Sequence, residues 1–176
     1  SISNSKFENN KASKFNGGAI SSYASCTRIS RCNFTDNEAY ENGGALHLNG
    51  NDCVVENSRF INSNAWYDDV YYADVGGGAI FYNGFNLSVS KSHFENSRGS
   101  KGGAILVDLD DYGSDKKSLL NVFESNFTAN HAKMFGAIFG GYGVLNIDGC
   151  QFIRNTAEIC SAVASGGTAK ITNSKF

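Results

Sequence analysis

The chain has 176 residues, with 15 Lys and Arg against 17 Asp and Glu for a formal net charge of -2. That balance gives no sign of the basic surface a nucleic-acid partner needs, and no run approaches the ~20 apolar residues of a membrane-spanning helix. Gly is frequent at 20, Asn stands at 21 and Pro is absent, a composition suited to many tight corners between short elements.

Taken in chain order, one pattern recurs on seven Phe anchors: Phe7, Phe34, Phe60, Phe94, Phe127, Phe152 and Phe176, spaced 27, 26, 34, 33, 25 and 24 residues apart. Two positions before each anchor stands a small residue: Ser5, Cys32, Ser58, Ser92, Ser125, Cys150 or Ser174. A polar residue lies between: Lys6, Asn33, Arg59, His93, Asn126, Gln151 or Lys175. This period of two predicts a half-buried strand with Phe inward. Three residues after the anchor comes Asn10, Asn37, Ser63, Ser97, Asn130 or Asn155, and five after comes Ala12, Ala39, Ala65, Gly99, Ala132 or Ala157. A second strand opens on Gly-Gly-Ala-Ile/Leu at Gly17, Gly43, Gly77 and Gly102, and decays to Phe135-Gly136-Ala137-Ile138 and Ser161-Ala162-Val163. A helical repeat would need runs of ~10 residues with apolar spacing of three and four, and these short alternating segments have none.

Repeats of this length with two or three short strands predict an all-β chain, a single-stranded parallel β-helix solenoid of about six to seven coils of ~25 residues. Residues 1–176 then form a single repeat domain. Like residues stack at the ~4.8 Å strand spacing, so the Phe column becomes a buried aromatic stack. The Asn column falls at a turn, where its amides can bond to the rungs above and below. Both termini, Ile2-Ser-Asn-Ser-Lys-Phe7 and Ile171-Thr-Asn-Ser-Lys-Phe176, fall in the same phase with no polar capping repeat. The expectation is an excerpt from a longer solenoid, or a solenoid that stacks end to end.

The motif FxxN occurs in full at Phe7–Asn10, Phe34–Asn37, Phe127–Asn130 and Phe152–Asn155, alternating with the four Gly-Gly-Ala-Ile/Leu segments. In this alternation the chain resembles the repeat region of the chlamydial polymorphic membrane proteins along essentially its whole length. The resemblance implies a right-handed β-helix and an extracellular or cell-surface, adhesin-like passenger. Repeats of similar type occur in surface proteins of eukaryotic microbes, so it fixes no organism.

Function in a repeat protein usually sits where the repeat is interrupted. From Phe60 to Ala79 the count is 19 where 10 to 12 is usual, and from Ala104 to Phe127 it is 23 where 14 or 15 is usual. The first insertion holds Trp66, Tyr67, Asp68, Asp69, Tyr71, Tyr72 and Asp74. Aromatic faces beside carboxylates suit a protein hot spot or a glycan platform, or the loop simply packs on its own coil. The second holds Asp108, Asp110, Asp111 and Asp115 around Gly113. Spaced carboxylates suggest Ca²⁺, against a plain solvated acidic loop. Tyr112 and Leu119 stand where an EF-hand loop needs ligands.

A polygalacturonase-type site needs Gly-His-Gly and Arg-x-Lys beside paired Asp, and the chain has neither motif. The two acidic loops leave the coil at different corners, and His47, His93 and His131 take unrelated columns and read as lone surface histidines. The expectation is therefore no enzyme and no cofactor, with a polysaccharide lyase or hydrolase as the lesser alternative. The predicted role is a structural or adhesive module, a rigid stalk presenting loops to other proteins or to copies of itself. A glycan-binding module using residues 66–74 is the alternative, and no membrane insertion by this segment is expected.

Five Cys leave at least one unpaired. Cys32 and Cys150 read as small core residues, while Cys26 and Cys53 fall eight and seven residues before successive anchors, within plausible disulfide reach. Sequons stand at Asn33, Asn86 and Asn126, of which Asn33 and Asn126 occupy the outward column.

Overall fold

The computed structural model describes residues 1–65, 76–108 and 117–176. Among these residues there is no helix, and short strands pair in parallel to build four sheets. The second coil shows the plan: Arg28–Ser30, Asn33–Thr35, Glu38–Ala39 and Leu46–Leu48 each join a different sheet. The first sheet runs from Ile2–Ser3 to Thr168–Thr172 with seven strands, and the second from Lys6–Glu8 to Gln151–Ile153 with six. The third runs from Lys11–Ala12 to His131–Ala132 with five, and the fourth from Ile20–Ser22 to Val163–Ala164 with six. Each strand is hydrogen-bonded to its counterpart one coil on, so the chain is an all-β stack of parallel strands, as the period of two predicts.

The register places Phe7, Phe34, Phe60, Phe94, Phe127 and Phe152 in one column. Their ring centroids are 4.8–4.9 Å apart with interplanar angles of 1–6°, and Phe176 continues the stack at 5.0 Å. Parallel rings touch at about 3.5 Å between planes, so a larger centroid spacing means that they are displaced sideways. That offset is the favourable geometry, contributing about 0.5–1.5 kcal/mol per pair beyond area burial. Phe34, Phe60, Phe94 and Phe127 are fully buried, with Ile29, Val55, Val89, Val122 and Ile147 from the first sheet and Ala45, Ala79, Ala104 and Ala137 from the Gly-Gly-Ala segments.

Two side-chain ladders flank the Phe column. On one side the serine two residues before the anchor accepts a backbone N–H from the preceding coil: Cys32 N donates to Ser58 Oγ, Ser58 N to Ser92 Oγ and Ser92 N to Ser125 Oγ, at 3.1–3.2 Å. The same hydroxyls donate to the carbonyl two residues earlier, as Ser58 does to Glu56 at 2.9 Å. On the other side Asn37 Oδ1 accepts both from Asn10 N and from Asn10 Nδ2, and Asn37 Nδ2 donates to the Phe7 carbonyl. Asn130 and Asn155 repeat this arrangement. The expected amide bonds between rungs are therefore present. Cys32 and Cys150 stand in the serine column, buried as expected, with their thiols on the Ser30 and Asp148 carbonyls.

Three corners recur along the stack with left-handed backbone. The first holds Asn4, Arg31, Asn57, Lys91, Glu124, Gly149 and Asn173, and the second Asn9, Asp36, Asn62, Asn96, Ala129 and Arg154, at φ of 47–65°. The third is the first glycine of each Gly-Gly-Ala, at φ of 60–68° in Gly17, Gly43, Gly77 and Gly102. The second glycine serves a different need. A Cβ on Gly18, Gly44 or Gly78 would collide with the carbonyl oxygen of the matching glycine one coil on.

Candidate functional site

The corner between the third and fourth sheets carries two exposed aromatic residues on adjacent early coils. Phe15 is 67% and Tyr40 45% exposed, and Glu41 N donates to the Phe15 carbonyl at 3.2 Å, which puts the two loops on neighbouring rungs. In the next coil Ala65 ends its strand in the third sheet, and Gly76 re-enters by a bridge to Lys101 just before the fourth. The insertion of residues 66–75 thus springs from the corner that holds Phe15 and Tyr40. Trp66, Tyr67, Asp68, Asp69, Tyr71, Tyr72 and Asp74 themselves lie outside the described residues.

The second insertion leaves from the opposite edge of the same sheet. Asp108 follows Ile105–Val107 and donates its N–H to the Tyr82 carbonyl at 2.9 Å, and Lys117 precedes Leu119–Phe123 of the first sheet. Asp108 is half-buried, and Asp110, Asp111 and Asp115 lie outside the described residues. Among the described residues no three His, Cys, Asp or Glu side chains gather as a metal site would require. The two insertions leave at different corners, as the repeat register implies, yet both corners bound the fourth sheet, on consecutive hydrogen-bonded strands Ile80–Tyr82 and Ile105–Val107.

The outer face of that sheet is unlike the others. His47, Phe81 and Leu106 point away from the Phe column in one register, yet they are only 4%, 6% and 1% exposed. The His47 ring stacks on Phe81 at 5.2 Å and 5°, Tyr23 tilts against it at 5.6 Å, and Nδ1 meets Ser21 Oγ at 3.2 Å. The reading of all three histidines as surface residues fails for His47. Burial holds its imidazole below the usual histidine range, so it is neutral at pH 7. The signal lay in the neighbouring coils: Ile80-Phe81-Tyr82 and Ile105-Leu106-Val107 do not alternate, which is how strands buried on both faces read. Leu46-His47-Leu48 does alternate and by itself gave no sign that His47 is buried.

The other histidines stay apart. His93, outward on the second sheet, meets Glu95 at 3.1 Å, and that contact draws the Glu95 carboxyl below its ordinary range, helped by Arg59. His131, outward on the third sheet, meets Thr156 Oγ1 at 2.8 Å, and burial foremost lowers its pKa.

The expected Cys26–Cys53 bond is absent, and all five cysteines are free thiols. Arg28 pairs with Val54, so Cys53 faces Thr27, and Cys26 is one position out of register. One residue reverses the face in a strand: Cys53 turns inward and is buried, while Cys26 is exposed at a left-handed corner with φ 58°. Of the sequon asparagines, Asn33 and Asn126 are exposed on the outward column, and half-buried Asn86 donates its side-chain amide to Asp52 at 3.1 Å.

No protein-family model matches the chain, and no curated protein or solved structure matches it significantly.

Proposed function

We propose that this chain is a non-catalytic structural or adhesive module of an extracellular or cell-surface protein, a right-handed β-helix that holds loops for contact with other proteins. The observation that carries it is the aromatic corner. Phe15 and Tyr40 present ring surface beside the departure point of an insertion that contributes one Trp and three more Tyr, and aromatic anchors dominate protein interfaces. The seven strands of the first sheet agree with six to seven coils. The right hand is what the resemblance of the repeats implies, and the general preference of crossovers between parallel strands supports it.

Most named buried polar groups have a structural duty: the Ser and Asn ladders hold coil to coil, and the outward ion pairs Lys11–Glu38, Arg28–Glu56 and Arg59–Glu95 tie neighbouring rungs. Exposed pairs of this kind contribute about 0–1 kcal/mol each, so they align rungs more than they stabilise them. The same rings would serve a glycan, whose C–H faces stack on aromatics.

The purified chain and its Trp66→Ala and Phe15→Ala variants are tested on parallel arrays of extracellular protein domains and glycans. The proposal expects binding to a protein domain, weakened about tenfold or more by Trp66→Ala, as for an interface anchor. Binding to glycans alone, lost in Trp66→Ala, replaces it with the glycan module. Turnover of an acidic polysaccharide with added Ca²⁺ replaces it with an enzyme.

A further inference from the structure

In the asparagine ladder each amide closes two bonds on the preceding coil. Asn130 Oδ1 accepts from Ser97 N and its Nδ2 donates to the Phe94 carbonyl, both at 3.0 Å. Asn155 does the same to Asn130 N and the Phe127 carbonyl, both at 2.9 Å. In the third and fourth coils the column holds Ser63 and Ser97 instead. Both are fully buried, at 0% and 1% exposure, and among the described residues neither hydroxyl has a hydrogen-bond partner. By the register of the Phe column, the groups that an asparagine would reach are Asn37 N–H and the Phe34 carbonyl for position 63. For position 97 they are Ser63 N–H and the Phe60 carbonyl.

Serine is not at fault as a residue type. In the column on the other side of Phe its hydroxyl lies close enough to accept the N–H of the preceding coil at 3.1–3.2 Å. In the asparagine column the oxygen must stand one bond further from Cβ, and serine stops short. A buried hydroxyl left without a partner costs about 1–3 kcal/mol, and two such sites on adjoining coils would be a heavy defect in one stack.

We propose that Ser63 and Ser97 each bind one buried water molecule that takes the place of the missing amide. The water accepts the backbone N–H, donates to the Phe carbonyl and shares its third hydrogen bond with the serine hydroxyl. Three partners is the usual number for an internal water. The water beside Ser63 bridges Asn37 N–H, Phe34 C=O and Ser63 Oγ, and the one beside Ser97 bridges Ser63 N–H, Phe60 C=O and Ser97 Oγ. The two other buried side-chain atoms without a partner among the described residues, Asn64 Oδ1 and Ser100 Oγ, belong to the same two coils. These coils also carry the insertions, so the hydrated section of the stack is the section from which both loops depart.

The test is water-to-amide magnetisation transfer in solution NMR on the whole chain. Cross-peaks to water are expected at the Asn37 and Ser63 amides, though both are shielded from bulk solvent, and not at Asn10 or Asn130, whose amides are bonded to Asn37 and Asn155. Ser63→Asn should abolish the Asn37 cross-peak alone, and Ser97→Asn the Ser63 cross-peak alone. Absence of both cross-peaks in the unaltered chain overturns the proposal without need of a variant. So does persistence of a cross-peak after its own serine has become asparagine.

Discussion

Cys26 and Cys53 occupy neighbouring coils and differ by one position in register, and that position decides their chemistry. Cys53 lies in the core with its thiol on the Gly50 carbonyl at 3.3 Å, and burial pushes its pKa up. Burial does the same to Cys150. The thiolate is the reactive form, so both are doubly protected, by access and by protonation. A thiol reagent added to the native protein is expected to modify Cys26 first, with Cys32, Cys53 and Cys150 reacting only on unfolding. Peptide mapping that finds Cys53 modified as fast as Cys26 would contradict this placement. The pairing was misjudged in the sequence because counting back from the anchors gives proximity along the stack but leaves the face to a difference of one residue.

At the scale of the element, Gly-Gly-Ala is three residues with three separate constraints. Gly77 needs the left-handed region at φ 66°, Gly78 lets the next coil approach, and Ala79 fills an inward position that is fully buried. A methyl on Gly78 meets the Gly103 carbonyl, which is backbone and cannot swing aside. Gly78→Ala is therefore expected to cost about 2 kcal/mol or more, measured by denaturant unfolding. Gly140→Ala, where the nearest atoms belong to the Leu145 side chain, should cost clearly less, and equal losses would refute the close-approach argument. The strands, the Phe column and the Gly-Gly-Ala openings were legible because each rests on a short-range period. The first two corners were not. Arg31, Lys91, Glu124, Ala129 and Arg154 adopt φ of 47–53° although none is a turn-former by its own chemistry. The stack imposes that conformation, so a single repeat could not reveal it. The aromatic insertion was legible as a break in the count, but Phe15 and Tyr40 belong to loops of ordinary length, and only the structure places them at its root.

Across the whole molecule each coil touches chiefly the coils before and after it, so stability is close to a sum of nearest-neighbour terms. Phe60 is buried between Phe34 and Phe94, whereas Phe176 has one stacking neighbour and is 69% exposed. Phe60→Ala is expected to destabilise by about 3–5 kcal/mol and Phe176→Ala by under about 1 kcal/mol. Calorimetry giving similar shifts for the two would mean that the stack does not behave as a series of adjacent contacts.

The attachment points of the two loops, Ala65 with Gly76 and Asp108 with Lys117, sit on consecutive rungs of a stack whose rise is fixed by backbone hydrogen bonds. Their positions along the axis can therefore change only in steps of about 4.8 Å, by gain or loss of a whole coil. Such a step slides a loop along its own edge of the fourth sheet and leaves it on the same side. A partner that grips both loops reads a distance that comes in whole rungs, and lengthening the chain by one repeat between them would change that distance by one notch without altering a residue of either loop.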